Sequence, residues 1–319
     1  MPDPADASES LARSGPALAE LAALGPIDWA AWARAARELA GRLPAGPDRD
    51  GRIHQLYLPV LFFCLAWLKR SAARPLMVGV QAPQGSGKTT LVSHLLALLP
   101  GLGLSGTGVS IDDFYLTRAE QVALAAEHAG NPYLEHRGYP GTHDVPLGAT
   151  ILAALRALGE SGGAREVRVP VYDKSAHGGR GDRAPESAWR RVRAPLDLVF
   201  VEGWMLGYSP LPESALTDSR LLVPNRALAA YSAWHRLLDV LVMLRAAAPL
   251  SIVQWRVDAE AAAAAAGRPG LDPAAIEDYI RRFLPAYAIY GGAPRHFPRD
   301  RQLTIWLDAS RRPVMLPRS

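Results

Sequence analysis

Lys88 and Thr89 close a short glycine-rich run, Ala82-Pro-Gln-Gly-Ser-Gly-Lys-Thr89, which follows an apolar stretch and opens a helical one. The spacing is that of a phosphate-binding loop, with alanine in place of the first glycine. Gly85 and Gly87 let the backbone turn its N–H groups inward around an anion. A helix beginning near Lys88 aims its positive end at the same anion. Gln84, Gly85, Ser86, Gly87, Lys88, Thr89 and Thr90 are therefore the expected contacts to nucleotide phosphates. Lys88 is placed to reach the β- and γ-phosphates, and the Thr89 hydroxyl to ligate Mg²⁺. Alanine is small, so Ala82 still permits the turn. ATPases and GTPases share such a loop, so other residues must decide the reaction.

Two acidic segments bear on that decision. Ser110-Ile-Asp-Asp-Phe-Tyr115 puts two carboxylates after a second apolar run. One of them can take a proton from an attacking hydroxyl and hold Mg²⁺-bound water. An aspartate there serves equally well as a helix N-cap or an Asx turn. Leu196-Asp-Leu-Val-Phe-Val-Glu-Gly203 is a buried strand pattern ending in an acid. This is the layout of a Walker B segment, with Glu202 beside Mg²⁺ directly or through water; the alternative is a strand-end Glu bonded to a loop.

The elements that must position these residues alternate along the chain. Leu76–Val80, Gly108–Ile111, Leu196–Val201, Leu238–Leu244 and Leu303–Leu307 read as strands, and Glu166–Val171 as extended. Thr89–Leu99, Val145–Leu158 and the alanine-rich Asp258–Gly267 read as helices. Such alternation predicts an α/β fold, a mostly parallel sheet covered by helices on both faces. Ligands then bind at the carboxyl ends of the strands, where most of these motifs fall. Upstream, Ile27–Leu43 and Arg52–Arg70 read as two helices joined by a turn-rich connector. The expected organisation is a disordered tail over 1–15, an N-terminal helical annex over 16–73 and a catalytic domain over 74–319.

Composition narrows the class. The 319 residues are 49% hydrophobic and 21% charged, as in an ordinary globular protein. The net charge of +4 suits anionic ligands, and no dense basic stripe with interleaved aromatics is present, so nucleic acid is not an expected partner. Cys64 is the only cysteine, lies in an apolar run, and reads as a buried inert thiol. A chain without an intrachain disulfide fits a reducing cytosol, and a cytoplasmic location is expected. The acidic Met1–Ser10 lacks the basic start and apolar core of a signal peptide. The most apolar run, Tyr57–Leu68, spans about 12 residues, too few for a bilayer. It reads as a buried helix, so no membrane association is expected.

The Ser-x-Asp-x-Phe-Tyr segment, Pro170-Val-Tyr-Asp173 and Glu202-Gly203 together resemble the uridine kinase and phosphoribulokinase group of P-loop kinases. That resemblance implies ATP and Mg²⁺ as cofactors. It makes Asp112 the base that activates the substrate hydroxyl and Glu202 a metal-site residue beside Thr89. The guanine-reading Asn-Lys-x-Asp motif of GTPases is absent. Longer segments are more specific. Arg137-Gly-Tyr-Pro-Gly-Thr-His-Asp144, Tyr172-Asp-Lys-Ser-Ala-His-Gly-Gly-Arg-Gly-Asp-Arg183 and Glu202-Gly-Trp-Met-Leu-Gly207 closely resemble the D-glycerate 3-kinase family, the plant-type glycerate kinases and their fungal and bacterial relatives. Gln254-Trp-Arg256, Gly267-Arg-Pro-Gly270 and Phe283-Leu-Pro-Ala-Tyr287 resemble it too. The likeness runs from Leu76 to Pro313 and departs from the family's motifs at Ala82 and Tyr139.

The resemblance implies a small-molecule kinase that phosphorylates D-glycerate to 3-phosphoglycerate; the alternatives are another kinase of the uridine kinase or pantothenate kinase type, and a non-catalytic ATP-binding regulatory protein. A carboxylate substrate needs a cation, and Arg137, Lys174 and Arg183 are candidates. Its hydroxyls need polar neighbours, and His143, Asp144, Tyr172 and Asp173 are candidates. Each has another reading. Arg137 and Asp144 can bracket a turn on Gly138, Pro140 and Gly141; Lys174 can neutralise the transferring phosphoryl group; His143 can bond a loop. In related kinases a helical lid, here about residues 251–290, brings arginines over the phosphates. Arg256, just before the alanine-rich helix, and Arg268 are the candidates, against a plain reading as surface arginines.

Overall fold

The computed structural model describes residues 15–159, 165–265, 280–292, 294 and 297–314. Most of the expected tail, as well as Arg268 and Gly267–Gly270, lies outside the described residues. The chain opens with helices α1 (Gly15–Ala23), α2 (Trp29–Arg42) and α3 (Arg49–Arg70). Strand β1 (Leu76–Gln81) leads through the glycine-rich loop into α4 (Lys88–Leu98), and β2 (Gly106–Ser110) into a short turn of helix, Ile111–Phe114. After α5 (Arg118–Glu127) and α6 (Val145–Ala157) come four short strands, β3 (Glu166–Val169), β4 (Tyr172–Asp173), β5 (Asp182–Arg183) and β6 (Arg190–Arg193). The remainder is β7 (Leu198–Gly203), α7 (Leu222–Ala227), α8 (Ser232–His235), β8 (Val240–Ala246), α9 (Ser251–Ala265), α10 (Leu284–Tyr290), β9 (Gln302–Leu307) and β10 (Pro313–Val314).

Six strands form one sheet in the order β10-β9-β8-β1-β7-β2. Every pairing is parallel except β9 with β10. The central strands β1 and β7 are buried along their whole length because both faces are covered, and the period of two divides their apolar residues between two cores. Leu76, Val78 and Val80 of β1 and Leu198 and Phe200 of β7 join one cluster with α1 to α4 and α9. Met77, Val199, Val201, Leu241 and Met243 join the other, with α6, Trp234 and α10. Within α4, the stripe of Leu91, Leu95 and Leu98 recurs at helical spacing and is buried against the first cluster.

The two expected N-terminal helices are present, and α1 stands ahead of them. All three pack into the same core as the sheet, with Leu39, Leu61 and Phe63 at 1% exposure or less. The apolar run Tyr57–Leu68 belongs to a longer helix than its composition indicates. Arg49 to Arg70 is continuous for 22 residues, apolar enough by length and composition to cross a membrane, yet 61% of its apolar window is buried inside the fold. Burial pushes the Cys64 thiol far up, as the inert reading requires. The extended segment from Glu166 does not enter the main sheet: β3 pairs with β6 as an outlying antiparallel ribbon. Arg256 lies within α9, not ahead of it.

Candidate active site

Parallel register places the motifs. Val80 of β1, Glu202 of β7 and Ser110 of β2 are aligned across three neighbouring strands. Glu202 therefore stands between the strand that enters the glycine-rich loop and the strand that enters the Asp112 turn.

The loop has the geometry that its glycines allow. Gly85 and Gly87 have φ of 75° and 90°, in the left-handed region. Gly87 caps α4, and the first intrahelical bond runs from the Leu91 N–H to the Gly87 carbonyl at 2.8 Å. The amides of Lys88, Thr89 and Thr90 thus have no partner within the helix and open toward an anion at its positive end. Side chains fix the outer wall: the Ser86 hydroxyl donates to the Pro83 carbonyl at 2.7 Å, and the Gln84 N–H donates to the Tyr287 hydroxyl at 3.1 Å.

Thr89 Oγ1 donates to Glu202 Oε1 at 2.8 Å, and Lys88 Nζ stands 3.8 Å from Glu202 Oε2. That second oxygen is buried and accepts no hydrogen bond. A hydroxyl whose hydrogen is turned onto a carboxylate presents its lone pairs outward. This hydroxyl and the unpartnered carboxylate oxygen form a donor set that fits Mg²⁺, an ion that completes its shell with phosphate oxygens and water. Among the described residues no group of three or more His, Cys, Asp or Glu is assembled.

Asp112 follows β2 on the short helix, its N–H donating to Ser110 Oγ at 3.3 Å. Lys174 Nζ lies 2.5 Å from its Oδ2. Burial works against the charge, but the ammonium groups of Lys174 and Lys88 hold the Asp112 carboxyl well below the ordinary range. Asp113 behaves in the opposite way. Burial pushes its carboxyl up to about 6, against the opposing pull of the Tyr172 and Ser110 N–H groups. Its Oδ1 receives the Tyr172 N–H at 3.4 Å and so ties β4 to the Asp112 turn.

His143 is buried and stacks on Tyr115, ring centroids 4.3 Å apart. Burial pushes its imidazole down to about 3, and the ring is neutral. Its Nδ1 is 2.8 Å from the Tyr231 hydroxyl, whose oxygen already accepts the Gly141 N–H at 3.1 Å. A tyrosine hydrogen donated to Nδ1 leaves the histidine hydrogen on Nε2. Nε2 is buried without a partner and feels the charge of Asp112. Arg183 donates from Nη2 to the Tyr115 carbonyl at 2.8 Å, while its Nε is buried and unpartnered. Two buried nitrogens without partners, on residues that both touch Tyr115, fit an oxygen-rich ligand.

The structure separates the expected substrate residues into two groups. Lys174, His143 and Arg183 converge on the Asp112 turn and Tyr115. Arg137 and Asp173 are engaged elsewhere, and Asp144 divides itself between a helix cap and Arg183. Arg137 donates to the carbonyls of Gly179, Arg180 and Lys174 and lies over the Tyr172 ring at 5.5 Å. Asp144 caps α6 through the Leu147 N–H at 3.0 Å and stands 3.2 Å from Arg183. Asp173 Oδ1 receives the N–H and hydroxyl of Ser175, at 2.8 and 2.6 Å, in an Asx turn. Tyr172 is buried edge-on against Tyr115, 5.3 Å between centroids. Arg256 is ion-paired with Glu260 one turn along α9. Tyr231 and Tyr287 are further site residues. Tyr231 sits in an alanine-rich stretch with no motif around it, whereas Tyr287 lies in the Phe283–Tyr287 segment of the family resemblance.

The fold agrees with what the chain is similar to. No family model matches it. The solved D-glycerate 3-kinase from Cryptococcus neoformans superposes with a TM-score of 0.73 at 30% identity, covering 80% of this chain and 96% of that one. The chain belongs to the D-glycerate 3-kinase family. The chloroplastic D-glycerate 3-kinase of Arabidopsis thaliana is 37% identical over 283 residues, 84% of this chain; the match spans 62% of that relative's length. The uncharacterized kinase mug58 of Schizosaccharomyces pombe is 37% identical over 257 residues, 76% of this chain and 91% of its own. As a D-glycerate 3-kinase family member the chain departs from the phosphate-loop pattern at Ala82, and the fold accounts for it. Ala82 is wholly buried, and its N–H extends the β1–β7 ladder to the Gly203 carbonyl at 3.3 Å. The turn that requires glycine begins only at Gly85.

Proposed function

We propose that the chain transfers the γ-phosphoryl group of ATP to the 3-hydroxyl of D-glycerate, giving ADP and 3-phosphoglycerate. The observation that carries this reading is the Asp112 carboxylate, held between Lys88 of the phosphate loop and Lys174 of the acceptor segment. Family membership and the unpartnered donors of His143 and Arg183 support it.

The acceptor hydroxyl hydrogen-bonds to Asp112. As its oxygen forms a bond to the γ-phosphorus, the bond to the β–γ bridging oxygen breaks and the proton passes to Asp112. The loop amides and Lys88 take the charge of the phosphates, with Arg256 as a further cation beside the loop. Lys174 and Arg183 receive the substrate carboxylate, and His143 Nε2–H donates to an acceptor oxygen. Thr89, Glu202 and, directly or through water, Asp112 would hold Mg²⁺, which when bound would supply positive charge to offset that developing on the phosphates.

The test is coupled ADP release with D-glycerate, glycerol and uridine, with 2- and 3-phosphoglycerate separated as products. Turnover is expected with D-glycerate, with 3-phosphoglycerate as product and glycerol, which lacks the carboxylate, a poor acceptor. Uridine turnover equal to or better than that of D-glycerate would sink the reading, as would ATP binding with no phosphorylated product.

A further inference from the structure

Between β9 and β10 the chain turns at Arg311, whose φ of 61° lies in the left-handed region that residues with side chains rarely adopt. The backbone there is held by the Arg311 N–H on the Asp308 carbonyl at 2.9 Å. From this turn the guanidinium joins two pieces far apart in sequence. Nε donates to the Gly85 carbonyl of the phosphate loop at 2.8 Å, and Nη2 to the Trp255 carbonyl of α9 at 2.8 Å. Nη1 stands 3.2 Å from Asp258, one turn further along α9. The fully buried Trp255 returns the contact: its indole N–H donates to the Ala309 carbonyl at 2.7 Å, and the guanidinium lies 5.9 Å from its ring.

Gly85 packs against the backbone of α9 with no room for a side chain. A Cβ on Gly85 would sit 2.5 Å from the Trp255 carbonyl carbon and 2.7 Å from the Arg256 nitrogen. Holding the Gly85 carbonyl fixes the plane of the Gly85–Ser86 peptide inside the loop's left-handed turn. Holding the Trp255 carbonyl fixes the residue next to Arg256. A lysine here would have one compact ammonium in place of a planar fork that addresses both carbonyls and a carboxylate at once.

We propose that Arg311 is a positioning residue for phosphoryl transfer, setting the phosphate loop and the helix that carries Arg256 in one fixed relation. The role rests on the kinase reading above for its effect on turnover, but not for the clamp itself. Reaction geometry is sensitive enough that an error near 1 Å costs up to about a hundredfold in rate.

The test is a double-mutant cycle on the full chain, with D-glycerate turnover and ATP affinity measured for Arg311→Ala, Arg311→Lys, Arg256→Ala and the Arg311→Ala/Arg256→Ala pair. Arg311→Ala is expected to lower kcat by about tenfold to a hundredfold. In the Arg256→Ala background the further loss should shrink to about threefold or less, because the clamp acts through that helix. Arg311→Lys should fall between wild type and alanine. An unchanged kcat, or equal losses in both backgrounds, overturns the proposal. If Arg311→Ala does not fold, Trp255→Phe removes the indole N–H that seats the turn and keeps a smaller aromatic ring in its place. A smaller loss coupled to Arg256 then supports the clamp, and an additive one overturns it. Amide exchange needs no turnover. Residues 84–90 and 252–258 should become less protected together in Arg311→Ala or Trp255→Phe, and loosening of one segment alone overturns the clamp. Absence of D-glycerate turnover in the wild type would count against the kinase reading, while amide exchange would still decide the clamp.

Discussion

The phosphate side and the acceptor side of this site are built differently. On the phosphate side, backbone does most of the work: a strand end, two glycines in the left-handed region and the first turn of a helix form the cradle, and Glu202 follows from strand register. On the acceptor side the segments Arg137–Asp144 and Tyr172–Arg183 have little regular structure, and side chains hold them. Arg137 collects three carbonyls, Asp173 closes an Asx turn, Asp144 caps a helix, and Asp113 ties β4 to the Asp112 turn. A cradle made of main chain reads any phosphate. A cavity made of side chains can be rebuilt for another acceptor without touching the nucleotide site. Substitutions on the two sides should therefore separate cleanly in kinetics.

The largest effect is expected at the junction. Asp112→Asn should lower turnover by about 10²–10⁴-fold, the usual worth of a general base, with ATP affinity nearly intact. Loss of ATP binding with unchanged turnover at saturation would move Asp112 to the phosphate side. Lys174→Ala comes next. It should raise the KM for D-glycerate by about tenfold to a hundredfold, the worth of a charge-assisted hydrogen bond, and leave the KM for ATP unchanged. An equal rise for ATP would mean that Lys174 serves the phosphoryl group. Arg137→Ala should loosen the Lys174–Arg180 loop and raise the acceptor KM by about threefold to tenfold, again with no change for ATP. A rise of the Lys174→Ala size would mean that Arg137 touches the substrate itself.

The smallest effect concerns pH and stability. The Asp113 carboxyl is raised to about 6 from an ordinary 3.8. Between those values the folded chain holds a proton that the unfolded chain has released. The contribution of this group to stability is therefore fully present below the window and falls as pH rises through it. Asp113→Asn removes that fall. Relative to wild type it should gain stability on going from about pH 4 to about pH 7, by on the order of 1 kcal/mol for a partly solvated group. Urea unfolding at the two pH values measures it, and a difference independent of pH would remove Asp113 from the set of perturbed acids.

Much of this was legible in the residues. Alternating strand and helix patterns give the mostly parallel sheet, because a strand covered on both faces must be apolar throughout. The loop 82–90 was readable because its chemistry lies in consecutive residues, and Glu202 because a strand-end acid beside such a loop has few other reasons to be there. The Arg137–Asp144 and Tyr172–Arg183 segments were recognisable as units, but not residue by residue. Type and spacing make Arg137, Arg183, Asp144 and Asp173 equal candidates, and which of them a carbonyl or a helix end occupies is decided by neighbours far away in sequence. The third helix reads from Arg52 yet begins one turn earlier, at Arg49; Arg49-Asp-Gly51 is polar enough to read as part of the connector.

By itself, then, the sequence determined the sheet, the phosphate cradle and the family, since each is written in local runs whose backbone physics is self-contained. Only the tertiary structure decided that Lys174 stands on Asp112, that Tyr231 meets His143, and that Arg311 joins the phosphate loop to α9. Those contacts span 62, 88 and 226 residues of chain. No local pattern encodes them, because side chains so far apart meet only when the packed core brings their elements together.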